Sequence, residues 1–373
     1  MTRQHIDERP LFDLRSYARY GPGRRDHFPR SELEIIARTV KRTPEVMVKV
    51  LTHGGQSLKA VGRHFHYLDR DGELAIETDD GQQLRGDGVE DFLIEDWDLD
   101  LEEDRRTPNL RAQGMRKPPK LVHKLLFSMP VGTPPKKVLA AVKDFAREEF
   151  GAKHRYAMVL HTDEPHPHVH MVVKAMSEQG VRLNIQKATL RSWRQEFARH
   201  LREQGVAANA TERAVRGVTR PQKPDGIYRA ERRGASTQWR QRAAAVAREM
   251  GTGAEIKAEP GKAQMLETRR DVVRGWTGVA DDLVLQGQVE LAQTVRGFVK
   301  QLPPVRTERE WIREDLLQQA ATERHRAVAS WRSFRAQQEE AAEQARQRED
   351  RARERGLERS RGRSRDHGHE RTR

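Results

Sequence analysis

The sequence predicts an α/β domain, a sheet with helices packed on it, followed by a mainly α-helical C-terminal region. Three observations carry this expectation. Between residues 45 and 220, strand-like runs alternate with stripes of helical period and meet at short Gly, Pro and Asp turns. Beyond about residue 260 the pattern is almost wholly helical. Nowhere does an apolar run approach the roughly 20 residues needed to cross a bilayer.

The elements follow in order. Residues 1–44 are polar and basic with one short helical pattern and are read as a loosely attached arm. From Val46, VMVKVL alternates apolar and polar as a half-buried strand, which Gly54-Gly55 ends. Leu58, Val61, Phe65 and Leu68 recur at spacings of three and four, so a helix follows with one buried stripe. Asp71-Gly72 turns the chain into a strand around Leu74 and Ile76. Residues 87–104 hold ten acidic side chains in eighteen and are expected at the surface, over a basic cleft. LVHKLLFSMP is the next strand; Thr133 and Pro134-Pro135 have the residue types of an N-cap and first turn. That helix should bury Val138, Val142 and Phe145 and end at Phe150-Gly151. Two strands, 155–161 and 168–176, precede a turn at Gly180, a short VRLNI strand, and a helix with Leu190, Trp193, Phe197 and Leu201 on one face. The expected division is therefore 45–220 for the α/β domain, 221–260 for a linker and 261–354 for a helical region. Thr307 and Glu310 form a capping box within that region, and the arginine-rich tail 355–373 is expected to lack order.

Composition narrows the function classes. Seventy Lys and Arg against 56 Asp and Glu leave a net charge of +14, which favours a polyanionic partner, nucleic acid before membrane surface. The absence of cysteine excludes disulfides, thiolate metal sites and a cysteine nucleophile, and it suits a reducing cytoplasm. The opening residues lack the apolar stretch of a secretion signal. A soluble, bacterial cytoplasmic protein without membrane insertion is expected.

The stretch richest in chemistry is HTDEPHPHVH, from His161 to His170. His168 and His170 are two apart on a strand, so both project from one face while Val169 and Met171 face a core. Same-face neighbours lie about 6.6 Å apart along a strand, close enough for two rings to lean onto one cation at ~2.1 Å per nitrogen. His161 ends the neighbouring strand and ranks ahead of His166 as the third ligand. Asp163 is placed to fix a ring tautomer or to take a proton. A structural zinc cluster or a plain histidine turn are the bland alternatives. Imidazole ligands suit Mn, Co, Ni or Zn better than Mg.

HTDEPHPHVHMVV resembles the metal-binding motif of conjugative relaxases of the T-DNA border endonuclease type, which belong to the His-hydrophobic-His endonucleases. VKVLTHGGQSLKAVGRHFHYLDRDGELAI resembles that family's nucleophile motif, with Tyr67 in the place of the catalytic tyrosine. HKLLFSMPVGTPP resembles its second motif, whose DNA-contacting serine maps to Ser128, and NATERAVRGV resembles the segment closing the domain. The resemblance covers roughly residues 45–220. It implies the relaxase fold, an antiparallel sheet with packed helices, and a divalent metal, Mg or Mn. It further implies attack by Tyr67 on a phosphodiester of single-stranded DNA at a transfer origin. Accessory DNA-binding proteins and a type IV coupling protein are the partners it implies. Arg63, Lys174, Lys49, Arg70, Lys124 and Arg182 are candidates for holding the DNA backbone. This chain departs from the family in Lys174, where the histidine strand often ends in asparagine, and in a short glycine run near residue 54. Its leader brings two rival tyrosines, Tyr17 and Tyr20, which rank far behind Tyr67. Competing readings are a metal-dependent phosphodiesterase that activates water and a non-enzymatic DNA-binding accessory protein.

Overall fold

The computed structural model describes residue 14 and residues 27–51, 54–112, 118–218, 236–252 and 259–366. Its elements are α1 (Arg30–Val40), β1 (Met47–Leu51), α2 (Leu58–Asp69), β2 (Ile76–Thr78), β3 (Gln83–Leu84), α3 (Val89–Asp96) and α4 (Leu99–Ala112), followed by β4 (Val122–Ser128), α5 (Pro135–Phe150), β5 (Tyr156–His161), β6 (His168–Lys174) and α6 (Lys187–Glu203). Four further helices follow, α7 (Thr237–Gly251), α8 (Lys262–Leu285), α9 (Val289–Lys300) and α10 (Glu308–Asp366). The six strands form one sheet in the order β1-β4-β6-β5-β2-β3, with every pairing antiparallel.

The two faces of this sheet are different in kind. Leu125, Phe127, Val169, Met171 and Val173 alternate toward one side, where they bury against Val138, Val142 and Phe145 of α5 and Trp193, Phe197 and Leu201 of α6. On the other side Val122, Ala157, Val159 and Val172 pack beneath Val61, Phe65 and Leu68 of α2. The histidines of β5 and β6 stand on this second face, beside the helix rather than under it.

Several local expectations need correction. The acidic stretch 87–104 is no mere surface segment: it folds into α3 and most of α4, with Leu93, Trp97 and Leu99 fully buried. Trp97 meets Phe65 edge-on at 6.0 Å, so these helices buttress α2. The VRLNI segment makes only an isolated bridge between Met176 and Arg182. Pro134, not Thr133, takes the N-cap position of α5; the Thr133 hydroxyl donates instead to Pro130 O at 2.9 Å.

Residues 1–218 with 266–304 form one compact unit, and residues 219–265 with 305–373 a second. Within the first, Ile36 and Val40 of α1 share a buried cluster with Val215, Trp276, Val279, Val295 and Phe298. The Trp276 indole donates to Val215 O at 2.9 Å. The segment NATERAVRGV closes the sheet domain by hydrogen bonds: Asn209 O accepts from Val46 N at 2.9 Å, and its amide Nδ2 donates to Glu45 and Thr39 at 3.1 and 3.2 Å. In the second unit Ala243 and Val246 of α7 bury against Ile312 of α10. The expected capping box is present there, with Glu310 accepting from Thr307 N at 2.8 Å and Thr307 Oγ1 from Glu310 N at 3.4 Å. Beyond it, α10 continues as helix to Asp366, into the arginine-rich stretch from which no order was expected.

Candidate metal and nucleophile site

Strand register assembles the histidines. In the antiparallel pairing of β5 with β6, His161 stands opposite His168, and in that of β4 with β6, Ser128 stands opposite His168. Opposed residues share a face, so His161, His168 and His170 converge. Their ring centroids are 4.8 to 5.3 Å apart, and one ligand nitrogen from each lies within 4.8 Å of the others. Three nitrogens at ~2.1 Å from a shared cation would sit about 3.4 Å apart, so a modest inward lean of the rings suffices.

The hydrogen bonds around the rings favour that use. His161 Nε2 lies 2.8 Å from Leu68 O, and His168 Nδ1 lies 2.9 Å from His166 O. A carbonyl only accepts, so each of those nitrogens carries the proton and the opposite nitrogen keeps its lone pair. His170 Nδ1 is buried with no partner among the described residues. Burial, with His161 and His168 close by, lowers the His170 pKa to about 3, and burial likewise lowers that of His161. His161 Nδ1 faces Arg70 Nη2 at 3.4 Å, a long contact, and neutral rings with one nitrogen from each gathered within 4.8 Å fit a divalent cation. His166 is exposed and contributes to this arrangement through its carbonyl.

Tyr67 sits on the edge of this cluster. It lies near the end of α2, 45% exposed, with its ring 5.7 Å from that of His170 and 6.0 Å from that of His161. The buried stripe of α2 explains the position, because anchoring Phe65 and Leu68 turns residue 67 outward along the sheet. The helix then stops at Arg70, whose φ of 56° places it in the left-handed region. That reversal folds the Arg70 guanidinium back over the Tyr67 ring at 4.9 Å, where it also pairs with Asp163. Burial raises the Asp163 pKa, but Arg70 and His161 outweigh it and hold the carboxylate below its usual range.

Other candidates fall nearer or farther. Ser128 is buried at the end of β4 beside His168, and Arg63 is exposed on α2. Lys49 is level with Leu126 on the histidine face. Lys174 lies six residues along β6 from His168, roughly 20 Å away, and pairs with Glu178. Arg182 is engaged by Glu102 and Lys120 O. Tyr17 and Tyr20 lie outside the described residues. One residue that sequence reasoning passed over is His64. Its ring stacks with Tyr67 at 6.0 Å and meets His170 edge-on at 6.3 Å, and its buried Nε2 has no partner among the described residues. Burial, reinforced by Lys124 and His161, lowers its pKa to about 3. The available signal was its spacing, three residues before Tyr67 on the same helical face.

Residues 79–206 match the relaxase family described as MobA/VirD2-like, nuclease domain. The match includes β4 to β6 and so takes in Ser128 and all three clustered histidines. Over these residues the chain is similar to the nuclease domain of MobA/VirD2-like relaxases. The T-DNA border endonuclease VirD2 of Agrobacterium fabrum is 25% identical over 190 residues, 47% of this chain and 41% of that protein. The proteins of the same name from Rhizobium radiobacter and Rhizobium rhizogenes are each 23% identical, again over 47% of this chain and over 43% and 42% of theirs. The chain thus spans about two fifths of the length of these relatives. The relaxase match begins twelve residues after Tyr67, so the tyrosine rests on its geometry.

Proposed function

We propose that this relaxase domain nicks one strand of DNA at the transfer origin of a mobile element and retains the cut end on Tyr67. The observation that carries this reading is a half-exposed phenol at the rim of three converging imidazoles, within a domain of relaxase type. The phenol oxygen bonds to phosphorus while the bond to the 3′-oxygen breaks, leaving a 5′-phosphotyrosine and, after proton uptake, a 3′-hydroxyl. Because the linkage keeps a phosphoester, the 3′-hydroxyl can later reverse the step and rejoin the strand.

His161, His168 and His170 would hold the divalent cation, Mg or Mn, which when bound supplies Lewis-acid stabilisation of charge on a non-bridging phosphate oxygen. Arg70 lies over the ring of Tyr67 and also pairs with Asp163, which keeps that carboxylate ionised. The attacking phenol must give up its proton, and Asp163 or a histidine of the site takes it in this scheme. Ser128, next to His168, would contact the strand near the cut.

The wider role is conjugative transfer through a type IV secretion system, with accessory DNA-binding proteins at the origin and a coupling protein at the channel. The arginine-rich end of the chain is suited to that delivery. No helix among the described residues is long and apolar enough to cross a membrane. The deciding experiment incubates the protein with Mn²⁺ and a labelled single strand from its element's transfer origin, beside Tyr67→Phe. A protein-linked DNA band lost in the variant supports the reading. Cleavage without linkage, unchanged by the variant, would instead favour a hydrolase that activates water.

A further inference from the structure

Lys124 lies on β4, on the histidine face, yet the mechanism above gives it no part. It is only 6% exposed, and among the described residues no carboxylate or other acceptor meets its ammonium. Its charged neighbours are alike in sign: Lys120 and Arg63, with burial, bring its pKa down to about 8, so the amine is still mostly protonated at neutral pH. The stem of Lys124 is thus packed away while its ammonium, which still reaches solvent, is left without an acceptor among those residues and is free to meet an anionic ligand.

The space beside its ammonium is left by a glycine. Gly54 has φ +75°, and a Cβ there would lie 2.6 Å from Lys124 Nζ and 3.8 Å from the Cβ of Ala60. The ammonium and the first turn of α2 therefore meet over a residue that must lack a side chain. Ser57, at the N-cap of this 12-residue helix, makes no side-chain cap bond. The Ala60 amide donates to Ser57 O at 3.0 Å, which leaves the amides of Leu58 and Lys59 for another acceptor, and the helix dipole adds positive potential at the same point.

We infer that Lys124, Gly54 and the first turn of α2 form a seat for one backbone phosphate of the bound DNA strand, separate from the scissile phosphate at Tyr67. A phosphodiester oxygen would satisfy the ammonium and the helix amides together. Ala60, His64 and Tyr67 follow one another at spacings of four and three along one face of α2. The seat is thus about seven residues, or roughly 10 Å, from the nucleophile. An extended single strand spaces its phosphates more widely than the ~3.4 Å rise of a duplex, so the seat falls no more than about three steps from the cut. Lys124 acts here as a positioning residue, fixing which phosphodiester lies over Tyr67. The assignment rests on the strand-nicking reading, from which alone comes the idea that a strand runs along this face.

The test measures binding in EDTA, where no cleavage occurs, using fluorescence anisotropy of a labelled single strand across a salt series. Lys124→Met, close in volume, is expected to weaken binding roughly tenfold. It should also reduce the slope of log affinity against log salt by about 0.7, the loss of one single-strand phosphate contact. Lys124→Arg should retain most of that slope. A second arm moves a single neutral methylphosphonate along the strand: the wild type should lose affinity at one position no more than about three steps from the nick, and Lys124→Met should not lose more there. An unchanged slope in Lys124→Met would overturn the seat, as would equal losses at every position in the wild type. The walk on the wild type decides the matter even if the variant does not fold. If the predicted slope and walk appear but Tyr67 forms no adduct, the tyrosine chemistry fails and the seat stands.

Discussion

Acidification should destabilise the metal-free nuclease domain through His170. In the unfolded chain this imidazole has its ordinary pKa near 6.5, whereas in the fold burial against His161 and His168 brings it to about 3. Below pH 6.5 the unfolded state therefore binds a proton that the folded state refuses. The associated stability is fully present above pH 6.5 and is lost progressively as pH falls toward 3. At pH 5 the unfolded chain lies 1.5 units below its own pKa, and at about 1.36 kcal/mol per unit this residue, only 5% exposed, costs about 2 kcal/mol. His64, also lowered to about 3, and His123, lowered to about 4, move the same way, as does His161. Tryptophans occur in both units, so bulk fluorescence would mix their transitions. Urea-dependent hydrogen exchange of peptides covering β4 and β6, at pH 7, 6 and 5 in EDTA, isolates the sheet. His170→Asn should remove about 2 kcal/mol of the decline at pH 5 and leave the part that the other buried histidines contribute. A variant that declines as steeply as the wild type would refute the argument, because the proton would then be taken up elsewhere.

Further outcomes follow from the same geometry. His168→Ala should weaken Mn²⁺ binding, measured by titration calorimetry, by roughly 100-fold or more, whereas His166→Ala, an exposed side chain, should change it by less than about twofold. Phe65→Ala removes a fully buried ring from between α2 and Trp97 and should cost about 3–5 kcal/mol in urea denaturation of the sheet domain. Arg70→Gln removes the cation that holds Asp163 low. Its carboxyl pKa, followed by carboxyl-carbon NMR with Asp163→Asn for assignment, should rise toward the ordinary carboxylate value.

Much of this protein is written locally in its sequence. The apolar stripes of α2, α5 and α6 were legible because a helix repeats every 3.6 residues, and each stripe named its own buried face. His168 and His170 were legible as a same-face pair because strand side chains alternate, and the capping box at Thr307 and Glu310 because both partners lie within one turn. None of these inferences needs a distant residue.

What the tertiary structure decided is everything that depends on register or on elements far apart in the chain. Two strands paired so that His161 faces His168, a result of hydrogen-bond register that no local pattern encodes. The acidic segment 87–104 read as surface because its charge masked Leu93, Trp97 and Leu99, which become buried only when α2 is there to cover them. His64 looked like an ordinary polar residue of a helix, and Lys124 was one of six basic candidates for the DNA backbone with nothing to single it out. The fold stacked the first against the tyrosine with its Nε2 buried, and set the second beside a glycine. A side chain's pKa and its missing partner are set by what surrounds it in three dimensions. For that reason the sequence determined which residues could do chemistry, and only packing decided which of them stand together.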